Sequence, residues 1–363
     1  MRKILILGGT GAMGKFLVKR LSASHHVYVT SRKVHKPSSN ITYYQGDAHD
    51  ENFLRSILKK EKWLAIIDFM HYGTKEFEKR YQSLLDNTDQ YVFLSSSRVY
   101  AASEAPLTEE SPRLLNVISN KDFIRSDDYA LAKARQEDML KNSGRNNWTC
   151  IRPYMTYDSY RMDLGFFPKE LWLYRVLHGK SVLFPLDVAS KRTTLTFGDD
   201  VAFCISCLVG NQDAKGQIYQ IMQPNNNTWS EVIKVYKKAL EMKGVTMNVK
   251  YVDSLPIKEP IYIYDRIYNR IFDNSKINDI KELKYKDVTE GIPKCVDEFL
   301  SNISFKDIDW KLQAYWDRIL KEHTSMNEIP NLQHKLEYLL FRYIVSYVFA
   351  KQTLHFLKKA IKL

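Results

Sequence analysis

The 363-residue chain has little of what marks several common classes of protein. Its cysteines number only four, too few for a disulfide framework at this length: Cys150, Cys204, Cys207 and Cys295. Cys204 and Cys207 form a C-x-x-C pair, but no second pair or histidine cluster completes a metal site, so we predict inert cysteines and no metal. No signal peptide precedes the first predicted strand, which favours a cytoplasmic protein.

Acidic residues are also in the minority, 42 against 54 basic ones, which leaves a formal net charge of +12. The remaining composition, 44% hydrophobic and 26% charged, is ordinary for a soluble globular protein of one large domain or two lobes. An anionic cofactor and substrate would account for part of the positive charge. Nucleic acid is a weaker alternative, because the basic residues are not interleaved as in a base-reading motif.

The C-terminal tail, residues 331–363, is apolar and basic at once. Its apolar run, residues 336–350, is short for a membrane span and carries Glu337 and Arg342. Against that single acid, Glu337, the tail has six basic residues: Lys335, Arg342, Lys351, Lys358, Lys359 and Lys362. Two interpretations stay open: a helix docked on its own domain or on a partner subunit, and an amphipathic helix in peripheral contact with an anionic membrane.

The most informative stretch lies at the start of the chain. An apolar run, residues 4–7, is followed by glycines at positions 8, 9, 11 and 14 and then by a pattern of helical period. Strand, glycine turn and helix in this order place a dinucleotide pyrophosphate against backbone N–H groups at a helix N-terminus. We expect Gly8 and Gly11 to form the turn and allow close approach, and Gly14 to let the helix pack on the strand.

Residues 1–155 alternate short apolar runs with amphipathic stretches, which predicts an α/β Rossmann domain, a doubly wound parallel sheet. Its six predicted strands are 4–7, 26–30, 41–45, 65–69, 91–95 and 149–152. Residues 156–325 are more mixed and predict a smaller substrate lobe that returns some strands to the Rossmann sheet. Residues 326–363 form the helical tail.

The candidate chemistry starts with Tyr129 and Lys133, four residues apart on a predicted helix and therefore on one face. An ammonium close to a phenol favours the phenolate, which would make Tyr129 an acid/base group usable near neutral pH. Upstream, residues 91–100 end a predicted strand in a row of three serines. Functional groups of open α/β sheets gather at such carboxyl ends, so a serine hydroxyl could bind the same substrate oxygen as Tyr129.

Taken together, these motifs resemble the extended short-chain dehydrogenase/reductases, the NAD-dependent epimerase/dehydratase group that acts on nucleotide sugars. The resemblance covers residues 1–310. It rests on motifs in the right order: Gly8-x-x-Gly11-x-x-Gly14, Gly46-Asp47, Leu94-Ser-Ser-Ser-Arg-Val-Tyr100, Tyr129-x-x-x-Lys133, Ile151-Arg-Pro153 and Gly198-Asp199-Asp200-Val-Ala202.

The resemblance implies a role for each matching residue. Tyr129 would be the catalytic acid/base, Lys133 would bind the nicotinamide ribose and tune Tyr129, and Ser96 would polarise the substrate. The implied cofactor-binding residues are Gly8, Thr10, Gly11, Ala12, Met13, Gly14, Ser31, Arg32, Asp47, Ala48, Phe69, Met70, Tyr129, Lys133 and Pro153. The implied substrate-binding residues are Ser97, Arg98, Tyr154 and Arg192. A homodimer is also implied.

Two departures from the family pattern indicate an atypical branch. The fourth predicted strand ends in Ile67-Asp-Phe-Met-His-Tyr72 where His-x-Ala-Ala is usual. The two positions after Ser96, which hold an acidic pair in the 4,6-dehydratases, are Ser97 and Arg98. Without a carboxylate to eliminate water, a standard 4,6-dehydratase is disfavoured.

The residues after the second strand bear on the choice of cofactor. NAD-binding members tend to place an acid there, whereas this chain has Thr30-Ser31-Arg32-Lys33. NADP(H) is therefore favoured, and NAD stays open if Arg32 stacks on the adenine instead. The predicted function is a Tyr-assisted hydride transfer on a nucleotide-linked sugar, as a 4-epimerase or a ketoreductase. The alternative is a non-catalytic dinucleotide-sensing or RNA-binding member of the same fold.

Overall fold

A computed structural model describes residues 1–255 and 259–344. The strands are β1 (Lys3–Leu7), β2 (His26–Ser31), β3 (Ile41–Gln45), β4 (Ala65–Asp68), β5 (Tyr91–Leu94), β6 (Trp148–Pro153), β7 (Met155–Tyr157), β8 (Val182–Pro185), β9 (Arg192–Thr193), β10 (Leu195–Phe197), β11 (Gln217–Ile221), β12 (Asn227–Thr228) and β13 (Val249–Val252). The helices are α1 (Gly14–Leu21), α2 (Glu51–Leu58), α3 (Thr74–Asp86), α4 (Leu114–Val117), α5 (Lys121–Arg125), α6 (Tyr129–Lys141), α7 (Lys169–Leu177), α8 (Leu186–Ala189), α9 (Gly198–Leu208), α10 (Trp229–Glu241), α11 (Ser275–Ile280), α12 (Val288–Ser301), α13 (Trp310–Leu320) and α14 (Leu332–Leu339). Among these helices, none is both long and apolar enough to cross a membrane.

The central sheet confirms the predicted Rossmann architecture. Seven strands lie side by side in the order β3-β2-β1-β4-β5-β6-β11, and each neighbouring pair is parallel. Crossing from one half of the sheet to the other occurs between β1 and β4, the switch point where such folds bind their ligands. The carboxyl ends of the strands therefore converge on the glycine loop that follows β1.

The seventh strand, β11, was missed at the sequence level. It pairs with β6 over its whole length, although two of its five residues are glutamines. Gln220 is fully buried, and its side chain accepts a hydrogen bond from the Tyr100 hydroxyl at 3.0 Å and donates one to the Leu107 carbonyl at 2.7 Å. Such long-range partners make a buried glutamine tolerable, and no local pattern reveals them.

Helices cover both faces of the sheet. On one face, Ile4 and Ile6 of β1 belong to a core cluster with residues of α1, α9 and α11; on the other, Leu5 and Leu7 pack with residues of α2, α3 and α6. These four side chains are 0% exposed, and only Lys3, at the start of β1, is half-buried. Burial on both faces explains why the strands appear in the sequence as continuous apolar runs without alternation.

The chain divides into two compact units, each built from separated segments. The first comprises residues 1–160, 192–227 and 268–291 and contains the whole seven-stranded sheet. The second comprises residues 161–191, 228–267 and those from 292 onward. The chain thus returns to the sheet unit twice after leaving it.

The second unit holds a parallel pair of strands, β8 and β13, and a set of helices. Trp172 of α7 lies against Tyr236 of α10 with ring centroids 4.8 Å apart. Arg175, buried in α7, donates to Asp317 of α13 at 2.8 Å. The core of the unit therefore contains a buried ion pair in addition to its apolar contacts.

The described start of the tail docks within this second unit. Tyr338 of α14 is fully buried and its hydroxyl donates to Asp317 at 2.7 Å, and Phe341 joins the same apolar cluster as Trp310 and Tyr174. The membrane interpretation would place these two side chains against lipid, so it finds no support here. Of the six basic tail residues, four lie outside the described part of the chain: Lys351, Lys358, Lys359 and Lys362.

Candidate active site

The loop between β1 and α1 needs glycine at defined positions. Gly8 adopts a φ of +70°, and a Cβ there would lie 2.9 Å from the Met70 sulfur. A Cβ on Gly14 would lie 2.6 Å from the Gly9 carbonyl, whereas one on Gly11 would meet no atom within 4 Å. The loop is therefore tightly packed at Gly8 and Gly14, and space is open beside Gly11. Its remaining predicted contact residues are Thr10, which is exposed, and Ala12 and Met13, which are half-buried.

This loop fits a dinucleotide. Met13 stands at the N-cap of α1 and provides no side-chain cap. The Lys15 and Phe16 amides donate to the Gly11 and Met13 carbonyls, so an anion would be met by the amides that precede Lys15. Gly198, the first residue of α9, approaches so closely that a Cβ would lie 2.7 Å from the Ala12 carbonyl oxygen. The loop is further tied to β2 by a 3.0 Å hydrogen bond from the Gly8 amide to the Thr30 hydroxyl.

The ends of β2 and β3 present the residues predicted to meet the adenosine. Ser31 accepts a hydrogen bond from the Lys33 amide at 3.1 Å, and Arg32 is exposed beside it. Asp47 is exposed after β3, whereas the side chain of Ala48 is buried. No acid ends β2, so Arg32 offers a free cation where NAD-binding relatives tend to carry a carboxylate.

After β4 the chain carries a buried acid. One oxygen of Asp68 accepts hydrogen bonds from the Met70 amide at 2.9 Å and the Tyr72 hydroxyl at 3.3 Å, and the other accepts one from the Tyr91 hydroxyl at 2.8 Å. Burial raises the pKa of Asp68. Phe69 and Met70 follow half-buried, with the Met70 sulfur against the glycine loop.

Tyr129 and Lys133 lie on one face of α6. Tyr129 is the first residue of the helix, and Asp128 caps it by accepting a hydrogen bond from the Ala130 amide at 2.9 Å. The Lys133 ammonium lies 6.0 Å from the centroid of the Tyr129 ring and donates to the Leu94 carbonyl at 2.8 Å. Burial lowers the pKa of Lys133 to about 8, against the opposing charge of Asp68.

Two further groups flank the Tyr129 ring. The Arg98 guanidinium lies 5.2 Å from the ring centroid, and its terminal nitrogen is 3.7 Å from an Asp128 oxygen. The His71 ring lies 5.0 Å from the same centroid at a 49° tilt. Tyr129 therefore stands among three cationic or titratable side chains at the carboxyl edge of the sheet, an arrangement suited to moving a proton.

The family model for NAD-dependent epimerases and dehydratases matches residues 4–221, more than half of the chain. The chain belongs to the NAD-dependent epimerase/dehydratase family. This confirms the resemblance inferred from the glycine loop, the serine row and the Tyr129/Lys133 pair.

One curated protein is similar to this chain at low identity. The chloroplast stem-loop binding protein of 41 kDa b from Arabidopsis thaliana is 27% identical over 256 residues, which cover 66% of this chain and 63% of that protein. The match thus spans less than two thirds of the curated relative's length.

Solved structures share the fold. WbmH of Bordetella bronchiseptica, solved with NAD+, superposes with a TM-score of 0.65 at 15% identity over 83% of this chain and 99% of that one. The UDP-N-acetylglucosamine 4-epimerase of Methanobrevibacter ruminantium gives 0.65 at 17% identity, covering 83% and 99%. The UDP-glucose 4-epimerase of Thermotoga maritima gives 0.64 at 18%, covering 83% and 100%.

The serine row of this epimerase/dehydratase family member divides into three different environments. Ser96 is 7% exposed, and its hydroxyl accepts a hydrogen bond from the Arg98 amide at 3.2 Å. Ser97 is 0% exposed and donates to the Arg152 carbonyl at 2.9 Å, so the substrate contact predicted for it has no surface to use. Ser95 donates to the buried Glu137 at 2.6 Å.

The other predicted substrate residues lie farther along the chain. Pro153 ends β6 and is buried, and Tyr154 follows half-buried with its ring 5.1 Å from that of Phe272. Arg192 is exposed and donates to the Asn226 side chain at 2.9 Å. Among the described residues, it makes no hydrogen bond or ion pair with Tyr129, Lys133, Arg98 or His71. Its assignment to a substrate pyrophosphate stays a prediction.

Sequence analysis missed two features of this site. His71 was noted only as a departure from the family pattern, although its position just past β4 could have marked it as a carboxyl-edge residue. The second feature is a buried ion pair: Arg152 donates to both oxygens of Glu137, at 2.8 and 2.7 Å, and both side chains are 1% exposed. Burial alone would raise the pKa of Glu137, but the hydrogen bonds and charge of Arg152 outweigh it and lower that pKa.

Proposed function

We propose that the protein is an NAD(P)-dependent enzyme that oxidises or reduces a carbon of a nucleotide-linked sugar, as a 4-epimerase or a ketoreductase. The proposal rests on the Tyr129 ring, which has Lys133 and Arg98 as neighbours, with Ser96 joined to Arg98 through a hydrogen bond. Family membership and the sugar-nucleotide epimerases among the fold relatives support the same class of substrate.

The residues act on the proton of the sugar alcohol. The Tyr129 oxygen would accept the alcohol proton, and return it when a ketone is reduced, with the cationic side chains of Lys133 and Arg98 beside its ring. The Ser96 hydroxyl would hold the same substrate oxygen in place. A bound nicotinamide would supply the hydride exchange. Lys133 has ammonium donors beyond the one given to Leu94, and these would hold the ribose.

For the cofactor we propose NADP(H) as the favoured form. Arg32 is exposed at the end of β2, where its guanidinium suits the 2′-phosphate, and no carboxylate there would repel it. NAD is the alternative, and WbmH of this fold binds NAD+. A homodimer belongs to the same proposal and is tested by sedimentation of the purified chain.

The test is a panel of UDP-, dTDP-, GDP- and CDP-sugars incubated with the protein, with NADPH, NADH or neither. NMR of the products separates epimerisation from reduction. Tyr129→Phe removes the acid/base oxygen, so we expect turnover to fall about 10²–10⁴-fold while cofactor binding is kept. Tyr251→Phe, at an exposed tyrosine of β13, is the matched control. Unchanged turnover in Tyr129→Phe would refute the proposal.

A second candidate, RNA binding, is favoured by the opposite edge of the sheet. A groove of about 860 Å³ lies at the amino ends of the strands, lined by Arg2, Lys141, Arg145 and Lys215 with Asp89 as its acid. Within the described residues, Arg2, Lys141 and Lys215 make no ion pair, whereas Arg145 pairs with Asp86. The Arabidopsis relative is named a stem-loop binding protein, which supports the same candidate.

Salt dependence tests this candidate. If the groove neutralises phosphates, alanine at Arg2, Lys141 and Lys215 together should weaken binding of an RNA hairpin and flatten the slope of log K against log salt by about two to three. Alanine at Lys234, Lys237 and Lys238, all exposed on α10, is the charge-matched control. Equal losses in the two triple variants would count against the groove.

A further inference from the structure

We propose that His71 is a proton-relay residue of this site, which carries protons between the Tyr129 phenol and solvent. The inference rests on the proposed function, in which Tyr129 exchanges a proton with the substrate. It assigns a role to a residue of the departure after β4, where this chain has Ile67-Asp-Phe-Met-His-Tyr72 in place of the family's usual His-x-Ala-Ala.

Position supports the relay. The His71 ring lies 5.0 Å from the Tyr129 ring, centroid to centroid, and the histidine is exposed. It follows β4 directly after Met70, whose sulfur touches the glycine loop, so the histidine belongs to the edge of the sheet where the cofactor is proposed to bind. One side chain thus lies beside the acid/base residue and is exposed to solvent.

The other neighbours of Tyr129 are poor routes for a proton. Lys133 is 2% exposed and its ammonium is held by the Leu94 carbonyl, which separates it from bulk water. Arg98 keeps its proton at any pH at which proteins fold. Of the three groups described around the ring, His71 alone is exposed and has the type of side chain that exchanges protons in the physiological pH range.

The charges around His71 favour its neutral form. Burial lowers the pKa of His71 first, and the positive charge of Lys133 and the neighbouring His49 lower it further, whereas Glu76 and Asp127 oppose this. His49 is itself hydrogen-bonded to Glu76 at 2.6 Å, so the Glu76 carboxylate, which opposes the lowering of the His71 pKa, has a partner other than His71. Arg98 faces the Tyr129 ring as a further cation. A neutral imidazole at pH 7 can accept a proton from the phenol.

The proton balance shows when the relay matters. In oxidation of an alcohol, the O–H proton would pass to the Tyr129 oxygen, and a bound oxidised nicotinamide would take the hydride from the carbon and leave in its reduced form. The phenol proton then moves to a ring nitrogen of His71 and on to water. Reduction of a ketone takes one proton from water along the reverse path. Epimerisation returns the proton to the sugar, so it needs no exchange with solvent.

The experiment compares His71→Ala and His71→Gln with the wild type and with His323→Ala, an exposed histidine of the second unit. For net reduction we expect kcat to fall about 10²-fold in both His71 variants, with an unchanged Kd for NADPH. The part of the pH profile in which the rate of reduction falls as His71 loses its proton should disappear, and added imidazole should restore part of the rate in His71→Ala. In the ligand-free protein, NMR should show His71 neutral at pH 7.

The outcomes separate this inference from the proposed function. Full activity in Tyr129→Phe would overturn both. An inactive Tyr129→Phe beside a His71→Ala enzyme with the wild-type kcat and pH profile would overturn the relay alone. A fall in kcat with an unchanged pH profile and no rescue by imidazole would assign His71 a packing role, and would overturn the relay as well, as would a charged His71 at pH 7.

Discussion

Helix α6 carries two buried charges one turn apart, and the protein treats them in opposite ways. Glu137 is 1% exposed and holds Arg152 in a two-point ion pair, which lowers the pKa of its carboxyl and so favours the charged form. Lys133 is 2% exposed, and burial lowers the pKa of its ammonium to about 8, which disfavours the charged form. The fold stabilises the first charge and keeps the second at a cost.

The difference follows from what each charge contacts. Glu137 also accepts a hydrogen bond from Ser95 and lies near Arg113, so both of its carboxylate oxygens have hydrogen-bond donors. Lys133 donates to the Leu94 carbonyl and faces Asp68, an acid whose own pKa burial raises. An ammonium with donors to spare is suited to a ligand, and strain of this kind is typical of functional sites. Glu137 thus supports the fold, and Lys133 supports the proposed chemistry.

The strongest test of this comparison is to break the satisfied pair. Glu137→Gln keeps the shape of the side chain but leaves the buried Arg152 guanidinium without its counter-charge, so we expect the free energy of unfolding to fall by about 3–5 kcal/mol. Urea denaturation at pH 7 measures the loss. Glu78→Gln, at an exposed position of α3, is the control and should change stability by less than about 0.5 kcal/mol.

If Glu137→Gln does not fold, a second variant tests the same ion pair. Replacing Glu137 and Arg152 together by methionine removes both charges, and the double variant should recover most of the loss because no unpaired charge stays buried. The pH dependence has a defined sign. The lowered pKa of Glu137 contributes stability above its ordinary value of 4.5, and this contribution is lost as the pH falls further. If the double variant is no more stable than Glu137→Gln, the pair is not what stabilises this end of the helix.

The opposite outcome is expected at Lys133. Lys133→Met removes a buried ammonium, and the drop in its pKa from 10.5 to about 8 corresponds to roughly 3 kcal/mol, so stability at pH 7 should rise by about 1–3 kcal/mol. Part of the gain is offset because Asp68 loses a nearby positive charge. Turnover should be lost in the same variant. A stability gain with loss of activity is the signature of a residue retained for function.

The wild-type protein tests the same idea through pH. The unfolded state binds more protons than the folded one between pH 8 and 10.5, because the folded pKa of Lys133 is the lower of the two. Stability should therefore rise with pH across this window, and the cost is fully present below it. Lys133→Met should remove this rise. If the variant is less stable than the wild type at pH 7, the ammonium is better satisfied than its surroundings indicate.

Much of this contrast lay beyond sequence analysis. The strand ends, the glycine turn and the one-face spacing of Tyr129 and Lys133 all follow from local patterns of apolar residues and glycine. The pairing of Glu137 with Arg152 joins a helix to a strand, and no periodicity signals it. Strand β11 was missed for the same reason, since the partners of Gln220 lie elsewhere in the chain.

The smallest predicted effect separates two adjacent serines. Ser95 donates to the carboxylate of Glu137 at 2.6 Å, whereas the Ser96 hydroxyl accepts from the Arg98 amide at 3.2 Å beside the Tyr129 ring. Ser95→Ala should cost about 1–2 kcal/mol of stability, because it removes a hydrogen bond to a buried charge, and should leave most of the activity. Ser96→Ala should cost less than about 1 kcal/mol and lower kcat for the sugar substrate.

Thermal unfolding and steady-state kinetics on the two variants give the comparison directly. The two substitutions remove the same atom from neighbouring positions, so each is the matched control of the other. A larger stability loss in Ser96→Ala, or a larger activity loss in Ser95→Ala, would contradict this assignment. Ser95 would then not be the serine that supports the Glu137 pair, or Ser96 not the one that serves the site around Tyr129.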